Sequence, residues 1–427
     1  MIRRIRIDGY KSFQNFDVKL APLSVILGPN ASGKSNLLDA IYLLSQVVSR
    51  RNLKEAFEGH RGLPLESFFY GDVGYEKLLE KPSLKLSLEV DVELSDWLRQ
   101  RVGDIVRKKR EGDPRGSRDR GREAVREKLL RYRLVLEASP KTGYVKIVDE
   151  RVAAIKRNGE EKKRNPFIER IGKGGTQRIH LRMERQAHPT YHDVGLEHTI
   201  VSTAPYEPYY PHVAALRMEL ENWRVYYLEP RALMREEVPL AQVKSVGPRG
   251  DNLPAFLNVL EKGRVDKGGL RNFNLALNQV MPTDARIEVY QTKEGRVALR
   301  LFEDGIHYSA RLMSEGTLRL VGLLAALHQD NQATLVAFEE PENGVHPVRL
   351  ELISDILKRA AETGKQIIVT THSSVFPTYF EDDNLFVSRK KDERTTIERF
   401  SPHGPLFRRS QIATALEDRI RRGDFGG

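Results

Sequence analysis

The 427-residue chain has no cysteine. Disulfides, thiolate metal sites and cysteine nucleophiles are therefore excluded together, and the composition fits a reducing compartment. No run of about 18 apolar residues occurs, so no membrane-spanning helix is expected. The amino terminus lacks a leader pattern, and a cytoplasmic location is the expectation. No internal repeat is present, and no heptads are sustained, which excludes a long coiled coil. Acidic residues are outnumbered, 59 against 70 Lys and Arg, giving a formal charge of +11. Tryptophan occurs only twice.

Forty per cent of the residues are hydrophobic and 30% charged, as in a folded globular protein of two or three domains. Residues Gly28 to Ser35 read GPNASGKS, a complete phosphate loop. An apolar run, Leu23 to Leu27, precedes it, and a helical stretch begins near Asn36. Strand, glycine-rich loop and helix in that order let backbone N–H groups cradle phosphates at a helix's positive end. Asn30, Ala31, Ser32, Gly33, Lys34, Ser35 and Asn36 are the expected nucleotide contacts. Lys34 is expected on the β- and γ-phosphates of ATP, and Ser35 on Mg²⁺.

Three later segments add chemistry. Thr334 to Phe338 is a short apolar run ending in Glu339-Glu340, followed by Pro-Glu-Asn-Gly. Carboxylates at the end of a buried strand beside a phosphate loop can hold the metal (Glu339) and polarise the attacking water (Glu340). Leu312 to Thr317 reads LMSEGT. Ser314 is a natural N-cap there, and Gly316 is expected to let a phosphate approach the backbone. Gln366 to Val369 is another buried strand, leading to Thr370-Thr371-His372. His372 is expected at the carboxyl end of a parallel sheet, facing the γ-phosphate.

With that order of motifs the chain resembles ABC-type ATPase heads of the RecF/SMC/OLD class, specifically RecF-like bacterial ATPases without a nuclease domain. Ile5 to Phe16, Glu221 to Arg235 and Gly250 to Leu253 also resemble segments of that group. The resemblance covers Met1 to about Arg50 and about Asn222 to Phe376. It implies an α/β fold: a mixed central sheet flanked by helices plus an antiparallel β-subdomain, with an inserted α+β region. It implies further that two chains pack head to tail as a homodimer or higher even oligomer. Ser314 and Gly316 of one chain would then cap the γ-phosphate held by Lys34 of the other. Two departures stand out. The signature is Met-Ser-Glu-Gly, and the metal-side acid is Glu339 rather than Asp. No Q-loop glutamine is recognisable between residues 50 and 95.

Four regions are expected: 1–94 and 221–400 as two ATPase lobes, 95–220 as the insertion, and 401–427 as a basic tail with a short helix from Arg408. Ser83 to Leu94 alternates as a half-buried strand, and Tyr132 to Val148 reads as a hairpin turning at Ser139 to Gly143. Residues 101–131 hold twelve Lys or Arg and six Asp or Glu. Rich in Gly and Pro and without evident apolar periodicity, they read as a flexible basic loop, helical only at its ends. That loop would meet solvent, a partner, or a nucleic-acid backbone without reading its sequence.

Two functions follow from the resemblance. One is the ATPase subunit of an anti-phage defence system, whose dimer controls a separate nuclease or toxin. The other is an ATP-gated DNA clamp in repair or recombination. The 55 residues after His372 are too few for the TOPRIM-like nuclease domain that OLD nucleases carry there. A transporter ATPase is disfavoured by the signature and the insertion.

Overall fold

Alternation builds the first layer. In β4 (Leu84–Glu93) Leu84, Leu86, Leu88, Val90 and Val92 all point inward, the period of a strand with one buried face. β4 pairs on one side with β1 (Ile2–Asp8), itself paired with β2 (Phe16–Lys19), and on the other with β5 (Leu129–Ala138). The sheet continues through β6 (Val145–Ala154), β7 (Ile168–Ile171), β8 (Arg178–Leu181) and β9 (Thr190–Asp193), antiparallel throughout. This computed structural model describes residues 1–111, 123–163, 165–172, 177–184, 190–203, 206–263, 268–281, 284–292, 294–346 and 349–400.

The second sheet runs β10 (Trp223–Tyr226), β15 (Leu335–Glu339), β16 (Gln366–Thr371), β3 (Leu23–Leu27), β17 (Leu385–Lys391) and β18 (Arg394–Arg399), parallel except for β18. Such a sheet is buried on both faces, and its strands read as unbroken apolar runs. Alternate residues of β15 enter different cores: Leu335 and Ala337 one, Val336 and Phe338 the other. The first core includes α1 (Lys34–Ser49), α2 (Leu53–Glu58) and α5 (Pro211–Glu221), with α3 (Gly74–Leu79) at its margin. The second holds α6 (Leu253–Lys262), α7 (Gly269–Val280), α8 (Glu315–Leu327) and α9 (Leu350–Glu362). A small sheet of β11 (Val238–Pro239), β12 (Ala285–Gln291), β13 (Arg296–Glu303) and β14 (Ile306–Ser309) covers α6 and α7. Among the described residues no helix is long and apolar enough to cross a membrane.

Two expectations are corrected here. Residue 95 is not a seam, because β4 and β5 pair from Leu84–Ala138 to Glu93–Leu129. An interior strand needs hydrogen-bonding partners on both sides, so the region expected as an insertion extends the amino-terminal sheet. Nor does 101–131 lack apolar periodicity throughout, and its first end is helical as expected. Asp96–Glu111 forms α4, which buries Leu98, Val102 and Val106 at four-residue spacing against α5. Charged residues, densest from Arg107 to Glu111, crowd the rest of α4 and mask that stripe. Residues 112–122, the centre of the basic segment, lie outside the described residues, as does the expected tail 401–427.

Candidate nucleotide site

Side by side, β15, β16 and β3 end at one edge of the parallel sheet, with Glu339 opposite Thr370 and Thr371 opposite Leu27. Carboxyl ends of parallel strands are where ligands meet open α/β sheets. Adjacency therefore brings the phosphate loop, Glu339, Glu340 and His372 together.

The loop is braced from behind. Ser388 Oγ lies 3.0 Å and Thr395 Oγ1 2.9 Å from the Ser32 carbonyl oxygen. Asn36 donates its side-chain amide to Ser12 Oγ (2.8 Å), which lies 2.7 Å from Thr395 Oγ1. Asn36 is thus engaged with this brace. At Gly33, φ is +97°, and a β-carbon there would overlap Thr395 Oγ1. Only glycine fits both the torsion and the space. Buried Lys34 donates to the carbonyls of Gly28 (2.7 Å) and Pro29 (2.8 Å). Burial pulls its pKa down, against the upward pull of Glu340, Glu339 and Glu342.

Ser35 donates its hydroxyl to Glu339. Arg61 forms an ion pair with the same carboxylate and stacks over the Tyr227 ring, 4.3 Å from its centroid. Behind them, buried Asp39 accepts from the Tyr227 hydroxyl (2.9 Å) and pairs with Lys11 (2.5 Å). Burial and Asp39 push the Tyr227 phenol far up. His60, in hydrogen-bond contact with Tyr10, is pushed down to about 4 by burial. Asp39, His60, Arg61, Tyr227 and Glu339 line a 740 Å³ cleft that also reaches Glu340 and Asn343.

Glu340 has φ +49° and donates its backbone N–H to Thr370 O (2.9 Å). Both its carboxylate oxygens are held: His372 Nδ1 lies 2.8 Å from one, and Asn343 Nδ2 donates to the other at 2.5 Å. Nearby, buried Glu342 accepts from the Thr371 hydroxyl. Burial raises its pKa.

Ser314 caps α8, its hydroxyl accepting from Thr317 N–H at 3.1 Å. Gly316 meets a different neighbour from the one expected. A β-carbon there would overlap the carbonyl oxygen of Gly344, so close packing of the chain on itself already demands glycine, with no phosphate involved. Among the described residues no hydrogen bond or ion pair joins 312–317 to 28–36, whereas Leu312 at the start of that segment is 75% exposed.

Sequence reasoning missed Arg61, Asp39, Tyr227 and Glu342. Asp39 carried a signal: one acid within Leu37-Leu38-Asp39-Ala40-Ile41 on a helix predicted to be buried. Arg61, between Gly59 and Gly62, carried none. It occupies the region searched for a glutamine.

A second 740 Å³ cleft lies at the opposite end of β1, lined by nine Lys or Arg and three acidic side chains. Arg3 and Lys128 pair with Glu93, and Lys162 with Glu127. Lys19, Arg126 and Arg157 have no ion pair among the described residues.

Residues 156–376 match the family described as "AAA domain, putative AbiEii toxin, Type IV TA system", and residues 1–102 match one described as "AAA ATPase domain". A DNA replication and repair protein RecF of Limosilactobacillus fermentum is 33% identical over 98 residues, 22% of this chain and 24% of that protein. This chain thus spans about a quarter of that relative's length. An ATP/GTP phosphatase of Helicobacter pylori is 20% identical over 410 residues, 92% of this chain and 90% of that protein. An SMC head solved with the C-winged-helix domain of ScpA aligns with TM-score 0.54 and 14% identity, over 93% of this chain and 97% of that one. The Smc head of Pyrococcus yayanosii, with a coiled coil and joint, aligns with TM-score 0.50 and 9% identity, over 98% and 99%. At such identities the likeness establishes the fold alone, an SMC-head-like α/β fold.

Proposed function

We propose, on the premise that this chain belongs to the AAA-domain family and is a RecF/SMC-like ABC-type ATPase, that two copies close head to tail over ATP and that the closed dimer controls a separate effector in defence against phage. Lys34 and the loop N–H groups hold the phosphates. The fit to Mg²⁺ rests on two hard oxygen donors already in contact, Ser35 and Glu339. Among the described residues no cluster of three or more His, Asp or Glu could hold a metal ion. Phosphate oxygens and water would complete the shell, the usual arrangement for this ion. When bound, Mg²⁺ neutralises charge developing on the transferred phosphoryl group. Glu340 orients the attacking water and takes its proton, while His372 steadies Glu340 and faces the γ-phosphate. Arg61, now paired with Glu339, would have to release that carboxylate for it to hold the cation.

One observation carries the dimer: among the described residues the signature 312–317 has no hydrogen bond or ion pair to its own phosphate loop, and its exposed Leu312 is open to a second copy. An isologous twofold contact would complete two sites at once. The defence role draws on the matched family, whose description names a toxin and a type IV toxin–antitoxin system. The basic cleft favours a second reading, a DNA-engaging ATPase, because cations without aromatic neighbours grip a phosphate backbone rather than bases.

Mass measurement tests the dimer. Glu340→Gln with ATP and Mg²⁺ should shift to twice the monomer mass with nucleotide retained, whereas Lys34→Ala should not shift. A Glu340→Gln monomer carrying trapped ATP contradicts the proposal. Phage plating on cells carrying the gene with its neighbours tests the role. Protection lost in Lys34→Ala supports defence, and absence of protection in wild type removes it.

A further inference from the structure

Three features of the molecule have no role assigned above or share one only in part. The groove between α7 and β12 contains exposed Leu275, and nothing indicates its occupant. The basic cleft belongs to the DNA reading above. The third is Glu342, whose surroundings point to one task.

Glu340 and His372 stand on different elements, the turn after β15 and the turn after β16, and face each other at 2.8 Å. Only a fixed relation between those turns can hold that pair. Glu342 lies two residues beyond Glu340, with 8% of its surface exposed. Its side chain turns inward to the opposite turn and accepts the hydroxyl proton of Thr371. Thr371 Oγ1 in turn accepts from the backbone N–H of Ser373 at 3.0 Å, spanning His372. The Glu342 main-chain carbonyl accepts from Val345 N–H (3.0 Å), closing its own turn. The two turns are therefore tied at the front by Glu340–His372 and at the back, out of water, by Glu342–Thr371. The second oxygen, Oε2, has no partner among the described residues.

We infer that Glu342 is a positioning residue for hydrolysis: with Thr371 it fixes the turn that presents His372 to Glu340, and it contacts neither nucleotide nor metal. This rests on the roles proposed above for Glu340 and His372. A catalytic group displaced by about 1 Å loses on the order of 10²-fold in rate. Lys34, Ser35 and the phosphate loop ride on β3 and α1, so nucleotide affinity is set elsewhere.

The test is single-turnover ATP hydrolysis of the full chain together with equilibrium nucleotide titration. Glu342→Ala should lower the hydrolysis rate about 10- to 100-fold while the ATP dissociation constant stays within about threefold. Thr371→Val should do the same, and the double variant should be no worse than either single, because one tie is cut in all three. Glu342→Gln, which keeps a carbonyl acceptor for Thr371 but no charge, should recover most of the rate. Wild-type turnover in Glu342→Ala overturns the inference. So does a Glu342→Gln as slow as Glu342→Ala, which would make the charge the active property, and so does additivity of the two singles. Glu340→Gln in parallel separates the two levels. If it turns over normally, the assignment of Glu340 has failed, whatever Glu342 does.

Discussion

Replacing Gly33 by alanine puts the geometry of the phosphate loop directly at stake. The new β-carbon would overlap Thr395 Oγ1 and lie 2.7 Å from Cγ2 and 2.8 Å from Cβ of the same residue. It would also have to adopt φ +97°. Left-handed backbone costs a non-glycine residue roughly 1–2 kcal/mol, and overpacking a filled site about 1–3 kcal/mol. Together that is roughly 2–5 kcal/mol, relieved most readily by moving the loop. ATP affinity should then fall roughly 30- to 5,000-fold. Equilibrium titration with a fluorescent nucleotide measures the loss, and a melting curve shows whether the rest of the fold is intact. Thr395→Ala in the same chain removes the two nearest atoms but leaves the β-carbon at 2.8 Å. Rescue should be partial, and Thr395→Gly should extend it. Gly33→Ala that binds ATP within threefold of wild type, with unchanged melting, would refute this reasoning.

Other outcomes follow from single groups. Buried Glu150 accepts from Ile200 N–H, Val201 N–H and the Tyr132 hydroxyl, and burial raises its pKa from 4.5 to about 7. Its folded pKa is raised, so its contribution to stability is fully present below pH 4.5 and is lost as pH rises through 7. The change is roughly 3 kcal/mol at 1.36 kcal/mol per pKa unit. Urea midpoints at pH 4.5 and 8 should therefore converge in Glu150→Gln relative to wild type, while parallel pH dependence would contradict the assignment. In the basic cleft, Arg126→Ser with Arg157→Ser should flatten the slope of log affinity for duplex DNA against log salt by about two units. Arg107→Ser with Lys108→Ser on α4 should change it less, and the reverse ranking would return the grip to α4. Glu340→Gln should cut steady-state turnover by roughly 10² or more while keeping ATP bound, and equal turnover would remove Glu340 from the chemistry.

The sequence read best where chemistry and periodicity coincide in one segment. Walker-type motifs on unbroken apolar runs located β3, β15 and β16, and parallel pairing placed them together. β4 and the β5–β6 hairpin were legible through alternation. Relations between segments were not. Nothing local announces that β5 pairs with β4 across 35 intervening residues. Nor does anything announce that Thr395 closes the space behind Gly33, or that Arg61 meets Glu339 across 278 positions. The apolar stripe of α4 was hidden by charge, and the close approach of Gly344 to Gly316 joins segments far apart in the chain.

The head-to-tail site is tested most directly by mixing two dead chains. Lys34→Ala lacks the phosphate-binding lysine, and Ser314→Arg places a bulky cation where the partner's nucleotide would sit. Each alone should be inactive. Co-expressed, half of the dimers are mixed, and each mixed dimer contains one site built from an intact Lys34 and an intact Ser314. ATPase activity should return to about one quarter of wild type. A mixture as inactive as its components, with mixed dimers demonstrated by mass, would contradict a site shared between two chains.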